Sequence, residues 1–158
     1  MMTRIALALM ACAVLLPAQK YSGPRPPKPD VPYLLHADNL VETEIAEASE
    51  EKRKDDLAYI IAGASSPVKT PLAGTIFLFL ASKIVPEKLQ LYKLEVKNGR
   101  REAFFSQKKR KESTRPMRLA IARVGEGLFR IEVNETLANG EYSLSPDGSN
   151  QVFCFQVY

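Results

Sequence analysis

A chain of 158 residues with 46% hydrophobic and 25% charged side chains has the balance of a folded domain, which excludes the weakly hydrophobic, highly charged class of disordered chains. Its net charge of +4 is too mild to imply a nucleic-acid partner by itself, and two cysteines are too few for a disulfide-built scaffold.

Met1 to Ala18 carries Arg4, an apolar run from Ile5 to Leu16, and Pro17-Ala18 before Gln19. This is the charged, hydrophobic and small-residue succession of a secretory signal, so residues 1–18 are expected to direct export to the periplasm or outside the cell. The style of the signal points to a bacterial source. The run falls short of the about 20 residues that span a bilayer, and nothing later competes with it, so no transmembrane span is expected in the mature chain. A minor alternative is Leu9-Met10-Ala11-Cys12, which resembles a lipobox and would make the protein a lipoprotein through Cys12. With residues 1–18 removed, Cys154 has no partner, and packing must hold the fold. Val152-Phe153-Cys154-Phe155 makes that thiol a small buried hydrophobe among apolar neighbours.

Residues 19–31 form a Pro-rich segment with four prolines between Tyr21 and Asp30, which forbids helix and predicts an extended, solvated arm. A single domain is expected over residues 32–158. Val31 to Ala37 gives the first apolar run. Leu40 to Ala62 supports either a helix from Val41 or two strands, and the strand reading is adopted, with the charged run Glu50 to Asp56 as a solvated hairpin tip. Gly63 to Gly74 contains Pro67 and Pro71 and reads as loop. Thr75 to Leu80 is apolar on both faces, as a central strand should be. Pro86-Glu87-Lys88 predicts one helical turn.

Leu89 to Lys97 and Arg100 to Ser106 flank Asn98-Gly99, the strongest short-range hairpin signal, because both central residues of a type I′ turn need φ > 0. Tyr92, Leu94 and Val96 share one face of the first run, and Lys93, Glu95 and Lys97 the other. Gln107 to Pro116 is a polar, basic loop. Met117 to Val124 alternates, and Gly125-Glu126-Gly127 turns the chain into Leu128 to Val133. Glu141 to Ser145 and Gln151 to Val157 form a last hairpin around Pro146-Asp147-Gly148-Ser149.

Leu137-Ala138-Asn139-Gly140-Glu141-Tyr142 places a Tyr at the entry of a strand after a Gly-containing corner. This resembles the tyrosine corner of immunoglobulin-like sandwiches, which implies a hydroxyl bonding back to the loop backbone. The residue two after that Tyr is Leu144 rather than Cys, so the antibody-type disulfide is absent. The resulting expectation is an all-β, Ig-like antiparallel β-sandwich preceded by a signal peptide and a Pro-rich arm.

Nothing in the sequence identifies a reaction. One His, His36, has no second His and no nearby Cys to complete a metal set. No nucleophile elbow, phosphate loop or dinucleotide fingerprint occurs, so no cofactor is called for. Ser66-Pro67-Val68-Lys69 has Ser-x-x-Lys spacing, but its prolines make it loop. Glu42 and Glu44 would share a strand face as solvent-side charges. Between Lys97 and Arg118 lie nine basic residues against Glu102 and Glu112, and the cluster Lys108, Lys109, Arg110 and Lys111 is the candidate site for an anionic partner. The alternative for that loop is solvation or pairing with the acidic run around Glu50. Phe104 and Phe105 precede the cluster instead of interleaving with it, which argues against nucleic acid. Asn134-Glu135-Thr136 is a glycosylation sequon. The expected function is a non-enzymatic exported module that binds a protein or an anionic cell-envelope component. The alternatives are an accessory subunit using an edge strand or the Pro-rich arm and, last, a hydrolase.

Overall fold

The computed structural model describes residues 20–108 and 112–158, so the segment read as a signal lies outside the described residues. The described chain is all-β, and its antiparallel sheets pack into a sandwich. The first five strands are β1 (Pro32–His36), β2 (Asn39–Glu42), β3 (Glu44–Glu47), β4 (Ser49–Arg53) and β5 (Asp56–Ala62). A two-residue β6 (Lys69–Thr70) and the central β7 (Ile76–Leu80) follow. Then come a 3₁₀ turn at Pro86–Lys88 and the hairpin of β8 (Gln90–Lys97) and β9 (Arg100–Ser106). The chain closes with β10 (Leu119–Gly125), β11 (Leu128–Val133), β12 (Gly140–Ser145) and β13 (Gln151–Val157).

The smaller sheet runs β10-β11-β7-β1-β2, and the larger runs β3-β13-β12-β8-β9-β5-β4, with β6 lying parallel to β13. Asn98 and Gly99 both have positive φ, 51° and 72°, as the Asn-Gly hairpin demands. β6 corrects the reading of residues 63–74 as loop throughout: Pro67 and Pro71 flank the two residues that pair, so the prolines confine the strand without preventing it. The hairpin tip is also shorter than expected. Glu50 to Arg53 pair with β5, Asp56 is already in β5 and buried, and only Lys54 and Asp55 make the turn.

The run from Asn39 to Arg53 is a single extended stretch that serves three different partners: β2 pairs with β1, β3 with β13, and β4 with β5. Each change of partner is fastened. Thr43 bonds Pro32 O through its N–H (3.3 Å) and its hydroxyl (2.8 Å), and Ala48 donates its N–H to Asn150 O at 2.8 Å. Because β3 and β4 are the first and last strands of the larger sheet yet successive in the chain, that sheet rolls back on itself.

Strand alternation then gives the larger sheet two buried faces. On the outside, Leu91, Tyr142, Leu144, Phe153 and Phe155 pack on Leu34, Phe77, Phe79 and Ile131 of the smaller sheet. Inside the roll lie Ala48, Ile61, Leu94, Ala103, Val152 and Cys154. Leu91 and Leu94 thus face opposite ways and are both buried, so β8 is not half-solvated along its length, while Val96, expected to share the buried face, is 50% exposed. The tyrosine corner is present. The Tyr142 hydroxyl donates to Ala138 O (2.7 Å) and accepts from Ala138 N–H (3.2 Å), and its ring stacks on Phe155.

One end of the roll is closed by an ionic cluster that apolar packing alone would not predict. Arg101, 1% exposed, bonds Glu44 through both terminal nitrogens (2.7 and 3.0 Å) and donates to Gly63 O (3.0 Å) and Ala62 O (2.8 Å). Glu141 Oε2 lies 3.9 Å from the guanidinium and accepts Ser66 N–H at 2.9 Å. Cys154 adjoins this cluster, so its expected apolar setting is only partly right. Burial still pushes its thiol up to about 12, against the lowering influence of Arg101.

The Pro-rich segment is extended and mostly exposed, as expected, but it is tied down onto its own domain. Pro26 is buried, Lys28 Nζ bonds Glu42 at 2.9 Å, and Tyr33 donates to the same carboxylate. Asp30, at φ 58°, donates its N–H to Leu80 O and accepts from the N–H groups of Ser82, Lys83 and Ile84 at 2.8 to 3.0 Å. Burial would raise the Asp30 pKa, but the three N–H bonds outweigh it and hold the carboxyl below its usual value.

Asp30→Ala should therefore destabilise the fold by about 1–2 kcal/mol, the loss of a carboxylate cap on backbone N–H groups, read as a lower urea midpoint at unchanged slope. Glu44 gives a pH signature. Burial would raise its pKa, yet the Arg101 fork and the Ser66 hydroxyl outweigh this and lower it. A depressed folded-state pKa adds stability that is fully present above the unfolded value of about 4.3 and is lost as pH falls through the folded value. Urea midpoints should fall below about pH 4, and Glu44→Gln should make that fall shallower. Arg101→Met should cost about 3 kcal/mol or more at pH 7, because two carboxylates lose their cation.

Candidate functional site

The roll has an open end as well as a closed one, and β8 produces it by changing partners midway. Leu91 to Leu94 pair with β12, whereas Glu95 to Lys97 pair with Arg100 to Glu102 of β9. From Ala103 onward β9 has parted from β8. The outer side of the gap is bridged by the segment before β10: Thr114 donates its N–H to Phe104 O (2.7 Å), its hydroxyl accepts Phe104 N–H (2.9 Å), and Met117 N–H bonds Leu91 O (2.8 Å). The inner side stays open as a cleft of about 250 Å³. That volume lies just below the about 300–1,000 Å³ common for small-molecule sites.

Period-two alternation aims each lining residue, and the inward positions are graded along the strands. β9 presents Arg101, then Ala103, then Phe105; β12 presents Glu141, Ser143 and Ser145; β13 presents Cys154 and then Val152. Along β9 the interior thus passes from an ion to a small apolar group and on to an aromatic ring, while across the register Ala103 pairs with Tyr59 and Ser143 with Tyr92. At the mouth Tyr59, Phe105 and Tyr92 form an edge-to-face chain, with centroids 5.9 and 5.6 Å apart. All three rings are half-buried. Tyr92 donates its hydroxyl to Gln90 Oε1, and Ser143 and Ser145 share a hydrogen bond at 2.9 Å. The loop Pro146 to Asn150 forms the rim. Burial first, then Tyr59 and Asp147, push the Tyr92 pKa up.

The residues singled out in the sequence do not gather in this cleft. Lys108 pairs with Asp55 at 2.9 Å, which is the pairing with the acidic run that was the alternative for the basic loop; Lys109, Arg110 and Lys111 lie outside the described residues. The ends of that loop are tied, since Ser106 N–H bonds Ser113 Oγ at 2.8 Å. His36 Nε2 is 2.9 Å from Thr70 Oγ1. Ser66 is buried and accepts Val68 N–H, while Lys69 is exposed on β6, so none of the three lines the cleft. Glu42 and Glu44, expected to lie together in solvent, are separated by the crossing at Thr43: one holds Lys28, the other Arg101. Asn134 of the sequon is exposed. Among the described residues no three His, Cys, Asp or Glu side chains are grouped so as to hold a metal ion.

The cleft residues were missed because each looked like ordinary strand material. The available signal was the set of small residues, Ala103 and Ser143 on strands whose next inward positions are aromatic or polar, and Ala48 at the junction of β3 and β4. Small residues facing one another across a rolled sheet leave room. Comparison of the chain with protein-family models, curated proteins and solved structures returns no match.

Proposed function

We propose that this chain is a non-enzymatic binding module, and that its recognition site is the cleft in the rolled sheet, which takes a small molecule with an apolar body. The observation that carries this is the chain of three half-buried rings above a floor of Leu94, Ala103, Ile61 and Val152. Half-exposed aromatic surface over an apolar floor gains free energy when a ligand displaces its water. Burial pushes the thiol of Cys154, near the cleft, up to about 12, so little thiolate forms there at neutral pH, which weighs against a cysteine nucleophile. Export, resting on Met1 to Ala18, belongs to the same proposal. The accessory role for the Pro-rich arm is less favoured, because Lys28 and Asp30 engage the arm with its own domain.

A neutral fluorescent naphthylamine should brighten on binding the full chain. Ser145→Trp, which fills the cleft from β12, should abolish the signal, and Phe105→Ala should weaken binding about tenfold, near 1.4 kcal/mol, with circular dichroism unchanged. Brightening that survives Ser145→Trp would overturn the assignment of the cleft.

A second reading concerns the basic loop, whose ends are pinned at Ser106 and Ser113. Lys108, Lys109, Arg110 and Lys111 would there meet an anionic envelope component. Replacing all four with Gln should abolish retention on anionic vesicles at low salt, and retention by the native chain should fall as salt rises.

A further inference from the structure

We propose that the ligand of the cleft is an organic cation of the alkylammonium class, its methyl or methylene groups lying against Tyr59, Phe105 and Tyr92 and its positive nitrogen between those rings and Asp147. The proposal rests on the reading of the cleft as a binding site and adds the chemical class of what enters it.

Charge selection is carried by what lines the cleft. Among the described residues Asp147 is the one formally charged side chain in the lining, in a chain whose net charge is +4. Among the described residues no Lys or Arg lines it, while Lys83 and Lys88 line the adjoining depression on the other side of Asp147. Aromatic faces carry the negative part of the ring quadrupole, so a cation within about 6 Å of a centroid is attracted. Three rings whose neighbouring centroids are 5.9 and 5.6 Å apart can act on a single ammonium group. Deeper in the roll, Glu44 and Glu141 face the single guanidinium of Arg101, which leaves one formal negative charge behind the apolar floor. An anion would meet Asp147, the ring faces and that charge together. A bare metal ion would be equally ill served, since among the described residues Asp147 is the one carboxylate in the lining and the hydroxyls beside it repay little of the cost of stripping the ion's water. A cation clothed in alkyl groups satisfies both demands, and the Ser143 and Ser145 hydroxyls can bond a polar substituent it carries. The upward push on Tyr92 from burial, Tyr59 and Asp147 has the sign expected of a place that resists added negative charge.

The test compares two compounds of one shape. Choline and its uncharged isostere 3,3-dimethylbutan-1-ol are titrated into the full chain, followed by NMR shifts and by displacement of the fluorescent naphthylamine. Choline should bind at least tenfold more tightly than the isostere. Asp147→Asn should remove severalfold of that preference without moving the melting temperature or the affinity of the isostere, and Phe105→Leu should weaken choline more than the isostere. Equal affinities, or a choline affinity indifferent to Asp147→Asn, would overturn cation selection while leaving the cleft as a site for apolar molecules. If neither compound nor the naphthylamine binds, both readings fall together.

Discussion

The structure depends on one constraint: a single extended stretch, Asn39 to Arg53, has to satisfy backbone hydrogen bonds on three different neighbours. An unpaired backbone group that is shielded from water costs as much as a lost hydrogen bond, so the stretch can change partners only where something else accepts or donates. Pro32 O serves Thr43, and Asn150 O serves Ala48. Those two points fix where the smaller sheet ends and where the roll begins. The roll in turn supplies an interior separate from the main core, and the cleft is that interior where it meets solvent.

The grading of that interior follows from the same geometry. Alternation turns every second residue inward, so small side chains and rings face one another across the register, Ala103 beside Tyr59 and Ser143 beside Tyr92, with Arg101 beside Ile61. Arg101 is tolerable there because four of its contacts are made at bonding distance: the two Glu44 oxygens and the carbonyls of Ala62 and Gly63. A buried guanidinium with its donors used fixes the positions of everything that accepts from it. Moved beside the rings, the same side chain would repel the cation proposed for the cleft.

Much of the scaffold was legible in the residues. Asn98-Gly99 fixed a hairpin by backbone chemistry alone, Thr75 to Leu80 announced a central strand by being apolar on both faces, and Tyr142 made the corner its surroundings suggested. These are local signals, each carried by a few adjacent residues. What could not be read was anything requiring knowledge of which strand lies beside which. Alternation in Val41 to Ile45 gave strand character but not the change of sheet at Thr43. The prolines between Tyr21 and Asp30 forbade helix but did not show that Asp30 would cap the backbone of Ser82 to Ile84. The cleft was hidden for the same reason, because its residues come from five strands, one loop and the junction of β3 with β4 and form a pattern only when the sheet has rolled. Charge density drew attention to Lys108, whose described partner, Asp55, sits in the neighbouring hairpin turn.

The pairing of Glu44 with Cys154 joins a strand near the start of the domain to the last strand of the chain. Most of the sheet contacts are of this long-range kind, and such contacts are made late, because the entropy of closing a long loop comes before any reward. During synthesis the roll cannot close until Gln151–Val157 has emerged, because β13 is the strand that joins β12 to β3. Every lining residue of the cleft except Val152 precedes β13, so a polypeptide truncated there keeps the side chains of the aromatic mouth and lacks the strand that joins β12 to β3.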